Sequence, residues 1–104
     1  MNRVTIELWL WLGEQLKGDF ESPSAMRSLR EEVVEEGTTI GDLLDNLANR
    51  FEPIGKHVFD IQQHRLRETL VATYNEQVIS PDNFYQQILR DGDKITILPV
   101  YTGG

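Results

Sequence analysis

Residues 89–104 read LRDGDKITILPVYTGG, and this closing segment decides the fold. The Asp-Gly-Asp sequence at 91–93 is a strong turn signal, because both residue types favour the backbone conformations of tight turns. Lys94–Val100 then predicts an apolar strand, and two residues later the sequence reads Gly103-Gly104. The segment therefore predicts a last strand that leads directly into a glycine tail.

The glycine tail has steric properties that few other sequences share. Glycine has no Cβ, so the tail is expected to be thin, flexible and able to enter sites closed to other residues. It also presents an unhindered carboxylate at Gly104. The pattern favours a protein whose own carboxyl group reacts, with residues 101–104 as the reactive tail. The alternative is an incidental frayed end.

The opening segment predicts the strand that pairs with the last one. Residues 3–12 alternate, with aliphatic side chains on one face and Trp9 and Trp11 on the other. In a small α+β domain the most apolar strands, here the first and the last, are expected to pair at the sheet centre and pack on a helix.

This arrangement places Trp9 and Trp11 on the face away from the core, where Leu98 and Val100 of the last strand join them. An exposed patch of this kind favours a partner-binding surface. In the alternative interpretation, the loop at 13–25 or the segment at 53–68 covers the tryptophans in a minor second core.

One amphipathic helix is predicted in the middle of the chain. Thr39 is a good N-cap residue, and Asp42 follows three positions later in the manner of a capping box. The helix is expected to end before Pro53. Its apolar residues recur at helical spacing: Ile40, Leu43, Leu44, Leu47 and Phe51.

The remaining segments give weaker patterns. A charged, edge-like strand with a bulge or an ambiguous register is predicted at 26–36, and residues 53–68 are predicted to be irregular. A third strand is predicted at 69–74, with a short continuation at 78–79 and a helical turn at 84–89.

Composition limits the class of protein. A chain of 104 residues predicts a single domain, 1–104, and the absence of cysteine excludes disulfides, thiolate metal sites and a cysteine nucleophile. The net charge of −7 argues against binding to nucleic acid or to anionic membranes. The apolar opening stretch is too short to span a bilayer and lacks a cleavage site, so we expect a soluble cytoplasmic protein.

No convergent catalytic or metal-binding set is evident. His57 and His64 lack a matching ligand set, so no metal site is expected. Asp91 and Asp93 flank a glycine and are explained by turn chemistry. No nucleophile elbow or phosphate-binding glycine loop is present, and an independent enzyme is therefore not expected. A further acidic group is interpreted as a solvated edge, with steering towards a basic partner as the alternative: Glu31, Glu32, Glu35 and Glu36.

Three pieces of the chain carry a resemblance to a known family. EEGTTIGDLLDNL at 35–47, VATYNEQVI at 71–79 and the closing segment at 89–104 resemble, in this order, the MoaD/ThiS family of ubiquitin-like β-grasp sulfur carriers. The resemblance implies an α+β fold with a single β-grasp domain. Its mixed sheet of four to five strands would pack on one main helix and end in a flexible Gly-Gly tail.

The resemblance also implies a chemistry for the tail. An ATP-dependent activating enzyme, using ATP and Mg, would adenylate the Gly104 carboxylate, and a sulfur donor would displace AMP to leave a thiocarboxylate. Tyr101, Thr102 and Gly103 would thread the tail into the partner sites, and a synthase subunit would accept the sulfur. The protein would bind no cofactor itself and would act as a co-substrate.

Several functions remain open on these grounds. Chain length, Pro99 and the strand-to-helix corner at 35–47, called the helix corner, favour a carrier for molybdopterin synthesis, the small subunit of molybdopterin synthase. The alternatives are a thiamine-type sulfur carrier, a ubiquitin-like protein modifier, and a binding module that uses the Trp9 and Trp11 face with a passive tail.

Overall fold

The structure is a computed structural model and describes residues 1–100. Its strands are β1 (Asn2–Leu8), β2 (Glu21–Ser24), β3 (Arg27–Val34), β4 (Phe59–Asp60), β5 (Arg65–Leu66), β6 (Leu70–Tyr74), β7 (Gln77–Ile79) and β8 (Lys94–Pro99). Its helices are α1 (Ile40–Arg50) and α2 (Glu52–His57), with one 3-10 turn at Pro81–Asn83.

The main sheet has six strands in the order β2-β3-β1-β8-β6-β7. The first and last strands lie side by side at its centre and run parallel, with Thr5 opposite Lys94 and Leu8 opposite Ile97. The other neighbours in the sheet are antiparallel. The predicted central pair and the mixed sheet are confirmed. The count exceeds four to five because the short strands β2 and β7 form the two edges.

Helix α1 forms for the predicted reason. The Thr39 hydroxyl accepts a hydrogen bond from the Asp42 amide at 3.1 Å, and the Asp42 carboxylate accepts one from the Thr39 amide at 3.0 Å. The helix then packs its apolar face on the sheet, and the two together enclose the core. Its buried residues are Ile40, Gly41, Leu43, Leu44, Leu47 and Ala48.

The first strand is shorter than the alternation predicts. It ends at Leu8, and the chain bends at Leu10 and Trp11. Leu12 and Leu16 are nevertheless buried in the core, because the chain turns back over the end of the sheet. The loop predicted at 13–25 therefore contributes core residues as well as edge strand β2.

Two further predictions were wrong. Strand β3 lies inside the sheet between β1 and β2, so the edge position falls to β2. The segment at 53–68 contains helix α2 and a small β4–β5 hairpin rather than irregular chain. Pro53 lies in the first turn of α2, where the missing N–H costs nothing, so it begins a helix as well as ending one.

The helical turn predicted at 84–89 begins earlier, with the 3-10 turn at Pro81–Asn83, and it continues to Gln87, whose amide donates to the Asn83 carbonyl at 3.0 Å. Phe84 and Leu89 are fully buried and fasten the following segment to the core. Within residues 1–100, no helix has the length and apolar character needed to cross a lipid bilayer.

Candidate partner-binding face

The sheet face that points away from α1 is called the open face. In β1 the core-facing residues are Val4, Ile6 and Leu8, so the alternate positions point to the open face. Glu7 lies opposite Leu29 of β3 and Thr96 of β8 in the sheet register. The next open-face position along β1 belongs to Trp9.

Trp9 lies beside the last strand, as predicted. Its amide donates a hydrogen bond of 2.8 Å to the Ile97 carbonyl, which extends the β1–β8 pairing by one step. This places Trp9 next to Leu98, and Leu98 pairs with Val71 on the far side. Val100 lies two residues after Leu98, so its side chain points to the same face, and it is exposed. Three of the four predicted contact residues therefore share one end of the open face.

Trp11 stands apart from this row. It follows the bend in the chain and lies beyond the paired part of β1, with 74% of its surface exposed. Trp9 is 37% exposed. Neither the loop at 13–25 nor the segment at 53–68 buries the two rings, so the alternative of a minor second core was wrong.

A buried carboxylate lies at the centre of the open face. Glu7 is only 1% exposed. Its Oε1 accepts from Arg27 Nε at 2.7 Å and also from Arg27 Nη2, while its Oε2 lies 2.8 Å from Lys94 Nζ. Burial raises the pKa of Glu7, but the hydrogen bonds and charges of Lys94 and Arg27 outweigh it and leave the pKa below its ordinary value.

Arg27 contacts both this carboxylate and the ring of Trp9. Its guanidinium carbon lies 4.7 Å from the centre of the Trp9 ring, within cation–π range. Glu7, Arg27 and Lys94 were not predicted as a group from the sequence. The available signal was a glutamate in the middle of an apolar strand, but its partners lie on two other strands and only the register identifies them.

The turn before β8 is held by carboxylates, as predicted. Asp93 is buried and accepts hydrogen bonds from the Tyr74 hydroxyl at 2.6 Å, from Asn75 Nδ2 at 3.0 Å and from the Arg90 amide at 2.7 Å. Burial alone would raise the pKa of Asp93. These hydrogen bonds lower the pKa by more, so it lies below its ordinary value. Asp91 accepts from the Arg3 amide at 2.7 Å.

The other candidates have structural roles or remain exposed. His64 Nδ1 lies 3.0 Å from Asp45 Oδ1, and no group of three or more metal-binding side chains occurs in the described part of the chain. Glu31, Glu35 and Glu36 are exposed to solvent, although β3 is not an edge strand. Glu32 differs, since it is buried against Arg30 and Arg50.

Strand β8 brings the chain to the same end of the open face. The Val100 amide donates to the Thr69 carbonyl at 2.8 Å, so the chain stays paired up to the last described residue. The predicted reactive and threading residues lie outside the described residues: Tyr101, Thr102, Gly103 and Gly104. They follow directly in sequence from this point.

A mixed sheet with its first and last strands paired in parallel at the centre, packed on one main helix, defines a ubiquitin-like β-grasp domain. The model of a family described as the ThiS family matches residues 23–104, most of the chain. The protein therefore belongs to the ThiS family, and the resemblance drawn from the sequence is confirmed.

Solved structures show the same fold at low sequence identity. Small archaeal modifier protein SAMP1 from Haloferax volcanii is 18% identical with a TM-score of 0.70, over 99% of this chain and 100% of that one. A putative molybdopterin converting factor subunit 1 from Pyrococcus furiosus is 19% identical with a TM-score of 0.66, over 97% and 100%. Urm1 from Trypanosoma brucei is 17% identical with a TM-score of 0.66, over 99% and 96%. Comparison with curated proteins gives no match.

Proposed function

We propose that this ThiS-family domain carries sulfur as a thiocarboxylate on Gly104 and serves molybdopterin synthesis as the small subunit of molybdopterin synthase. The observation that carries the proposal is the family match, which runs through the glycines to Gly104. The helix corner, chain length and Pro99 favour the molybdopterin branch. The fold shared with a putative molybdopterin converting factor subunit is consistent with that choice.

The proposed reaction uses a partner's catalytic groups. The Gly104 carboxylate attacks the α-phosphorus of ATP on an activating enzyme that holds Mg²⁺, and pyrophosphate leaves. A sulfur donor at the oxidation level of hydrogen sulfide then displaces AMP from the acyl adenylate, which leaves the thiocarboxylate. The synthase subunit takes the sulfur for its substrate, and water restores the carboxylate. The protein is a co-substrate in this cycle and not an enzyme, and we place the cycle in the cytoplasm.

The position of Val100 limits where the partners bind. A fully extended chain spans at most about 3.6 Å per residue, so the four residues after Val100 reach no further than ~14 Å. A partner whose active site receives Gly104 must therefore contact the domain close to Val100. Trp9 and Leu98 lie there, and we propose that they, with Val100 and Trp11, form the docking surface for the activating enzyme and the synthase subunit.

The decisive experiment is the intact mass of the untagged protein from its own cells, purified without reductant or alkylating agent. We expect a species heavier by the difference between sulfur and oxygen, mapped to the C-terminal peptide. The matched control is the chain with Gly104 deleted, which keeps the whole described domain. It should carry no such mass and should transfer no sulfur in a reconstituted pathway.

Other outcomes favour the alternatives. Isopeptide-linked adducts on target proteins, without a thiocarboxylate, would establish a protein modifier. Sulfur delivery to a thiazole precursor and not to the molybdopterin precursor would establish the thiamine-type carrier. If the Gly104 deletion retains full function and only the tryptophan variants lose it, the protein is a binding module with a passive tail.

A further inference from the structure

The centre of the open face carries more positive than negative charge. Arg27 and Lys94 both contact the single carboxylate of Glu7, which leaves one positive charge in excess. This is unexpected in a chain whose net charge is −7. Two cations are more than the neutralisation of one buried carboxylate requires, so one positive charge has no negative counterpart among the direct contacts of this group.

The two cations also retain unused hydrogen-bond donors. Arg27 spends Nε and Nη2 on Glu7, and its Nη1 makes no hydrogen bond within residues 1–100. Lys94 Nζ forms an ion pair with Glu7 alone among the same residues. Both side chains are partly exposed, at 37% and 42%, whereas Glu7 is sealed beneath them. The donors are therefore open to a molecule that approaches the face.

The residues around Arg27 and Lys94 differ in charge on the two sides of this pair. Trp9 lies under the Arg27 guanidinium, and Leu98 and Val71 continue the face as an uncharged surface. The exposed carboxylates of Glu21 and Glu31 lie on the opposite side, on β2 and β3. The positive centre is thus bordered by apolar surface towards Val100 and by negative charge on the other side.

We propose that Arg27 and Lys94 together receive an aspartate or glutamate side chain of the protein that docks on the open face. The inference rests on the proposed function, because it assigns the chemistry of the same docking surface. A partner carboxylate would complete the charge balance of Glu7, Arg27 and Lys94 while its neighbours cover Trp9 and Leu98. Glu7 acts as a positioning residue, because it holds both cations at the surface without being exposed itself.

The test compares substitutions at Lys94 with the same substitutions at Lys56, an exposed lysine of α2. Lys94→Gln leaves the neutral Arg27–Glu7 pair in place, so the sheet should remain folded. The probe is the activating enzyme of the same cells, and both its dissociation constant and its adenylation of the chain are measured. We expect Lys94→Gln to weaken binding roughly tenfold and Lys94→Glu more, as for the loss of an interfacial charge pair. Lys56→Gln and Lys56→Glu should bind as the natural chain does.

A charge exchange completes the test. If a lysine placed at one acidic position of the activating enzyme restores binding to the Lys94→Glu chain, the partner carboxylate is identified. Equal binding by the Lys94 and Lys56 variants, while the natural chain is adenylated, overturns this inference alone. Tighter binding by Lys94→Gln also overturns it, since the cations would then hold an acidic group of the chain itself. A natural chain that is neither bound nor adenylated overturns both this inference and the proposed function.

Discussion

The Arg27 guanidinium lies over Trp9, with its central carbon 4.7 Å from the ring centre, and the same group donates hydrogen bonds to Glu7. One side chain therefore contacts both the buried carboxylate and the aromatic ring that lies beside Leu98. Since a partner that binds Gly104 must contact this region, the ring is expected to contribute directly to docking.

Trp9→Ala should weaken binding to the activating enzyme by about 2 kcal/mol or more, the cost typical of an aromatic interface anchor. Ile88→Ala is the matched control, because Ile88 is also exposed but pairs with Thr39 near the start of α1. Titration calorimetry measures both. Equal affinities of the two variants would place the docking surface elsewhere on the domain.

Glu7→Gln should lower the free energy of unfolding by about 1 to 2 kcal/mol, because the amide keeps the volume but loses the charge that both cations contact. Lys94→Gln should cost less, since Arg27 still neutralises Glu7. The magnitudes are modest because the cations are partly hydrated. Urea unfolding of both variants measures the difference, and a larger loss for Lys94→Gln than for Glu7→Gln would contradict the placement of Glu7 as the group that both cations share.

Asp93 should make the domain sensitive to acid. Its pKa in the folded state lies below the ordinary value of 3.8, so its stabilising effect is fully present above that pH. The effect is then lost as the pH falls through the lower, folded-state pKa. Asp93→Asn should lose about 1 to 3 kcal/mol at neutral pH and show a weaker acid dependence.

Tyr74→Phe is the companion variant for this carboxylate. It removes one of the three hydrogen-bond donors to Asp93 and should raise the pKa of Asp93 towards its ordinary value. Unfolding followed from pH 2 to pH 7, about the range in which carboxylates titrate, measures both variants. If the stability of both variants depends on pH as that of the natural chain does, Asp93 is not the source of the acid sensitivity.

Thr39→Ala should destabilise the domain by about 1 kcal/mol, because the first turn of α1 loses its capping hydroxyl. Thr38→Ala is the neighbouring control. The Thr38 side chain makes no hydrogen bond in the part of the chain that the structure describes, although its backbone is paired. Thermal or urea unfolding that gives equal losses at the two threonines would show that the cap contributes nothing.

Tyr85 reports on the packing of α1. Burial, and then its 2.6 Å hydrogen bond to Asp45, raise the pKa of the Tyr85 hydroxyl well above its ordinary value. A Cβ on Gly41 would lie 2.4 Å from the Tyr85 ring, so Gly41→Ala must displace it. Both Gly41→Ala and Asp45→Asn should therefore lower the pKa of Tyr85 towards 10.0, as followed by the NMR resonances of its ring. An unchanged titration in both would contradict the geometry.

The sequence predicts well whatever depends on local chemistry. Thr39, Asp42 and the apolar spacing of α1 define that helix without reference to the rest of the chain. The pairing of β1 with β8 also follows from the sequence, because these two strands are the most apolar and a small sheet buries such strands at its centre.

Features that depend on register or on distant contacts were missed. The alternation of β1 continues to Leu12, but pairing stops near Trp9 because the chain turns to cover the end of the sheet. A proline at position 53 is compatible both with the end of one helix and with the start of another. The sequence does not show that α2 begins there, because this depends on the burial of Ile54 in the core. The contacts of Glu7 with Arg27 and Lys94 require the relative positions of three strands.

The central pairing of β1 with β8 has a consequence for how the protein is made. The Arg3 amide bonds to Asp91, 88 residues further along the chain. During synthesis β1 therefore remains without its central neighbour until β8 has left the ribosome, and long-range pairing of this kind folds slowly. A chain interrupted before β8 still pairs β1 with β3 but leaves the other edge of this apolar strand open to the cell's proteases. A domain that has formed its central pair has therefore already completed β8, the strand that directly precedes the tail.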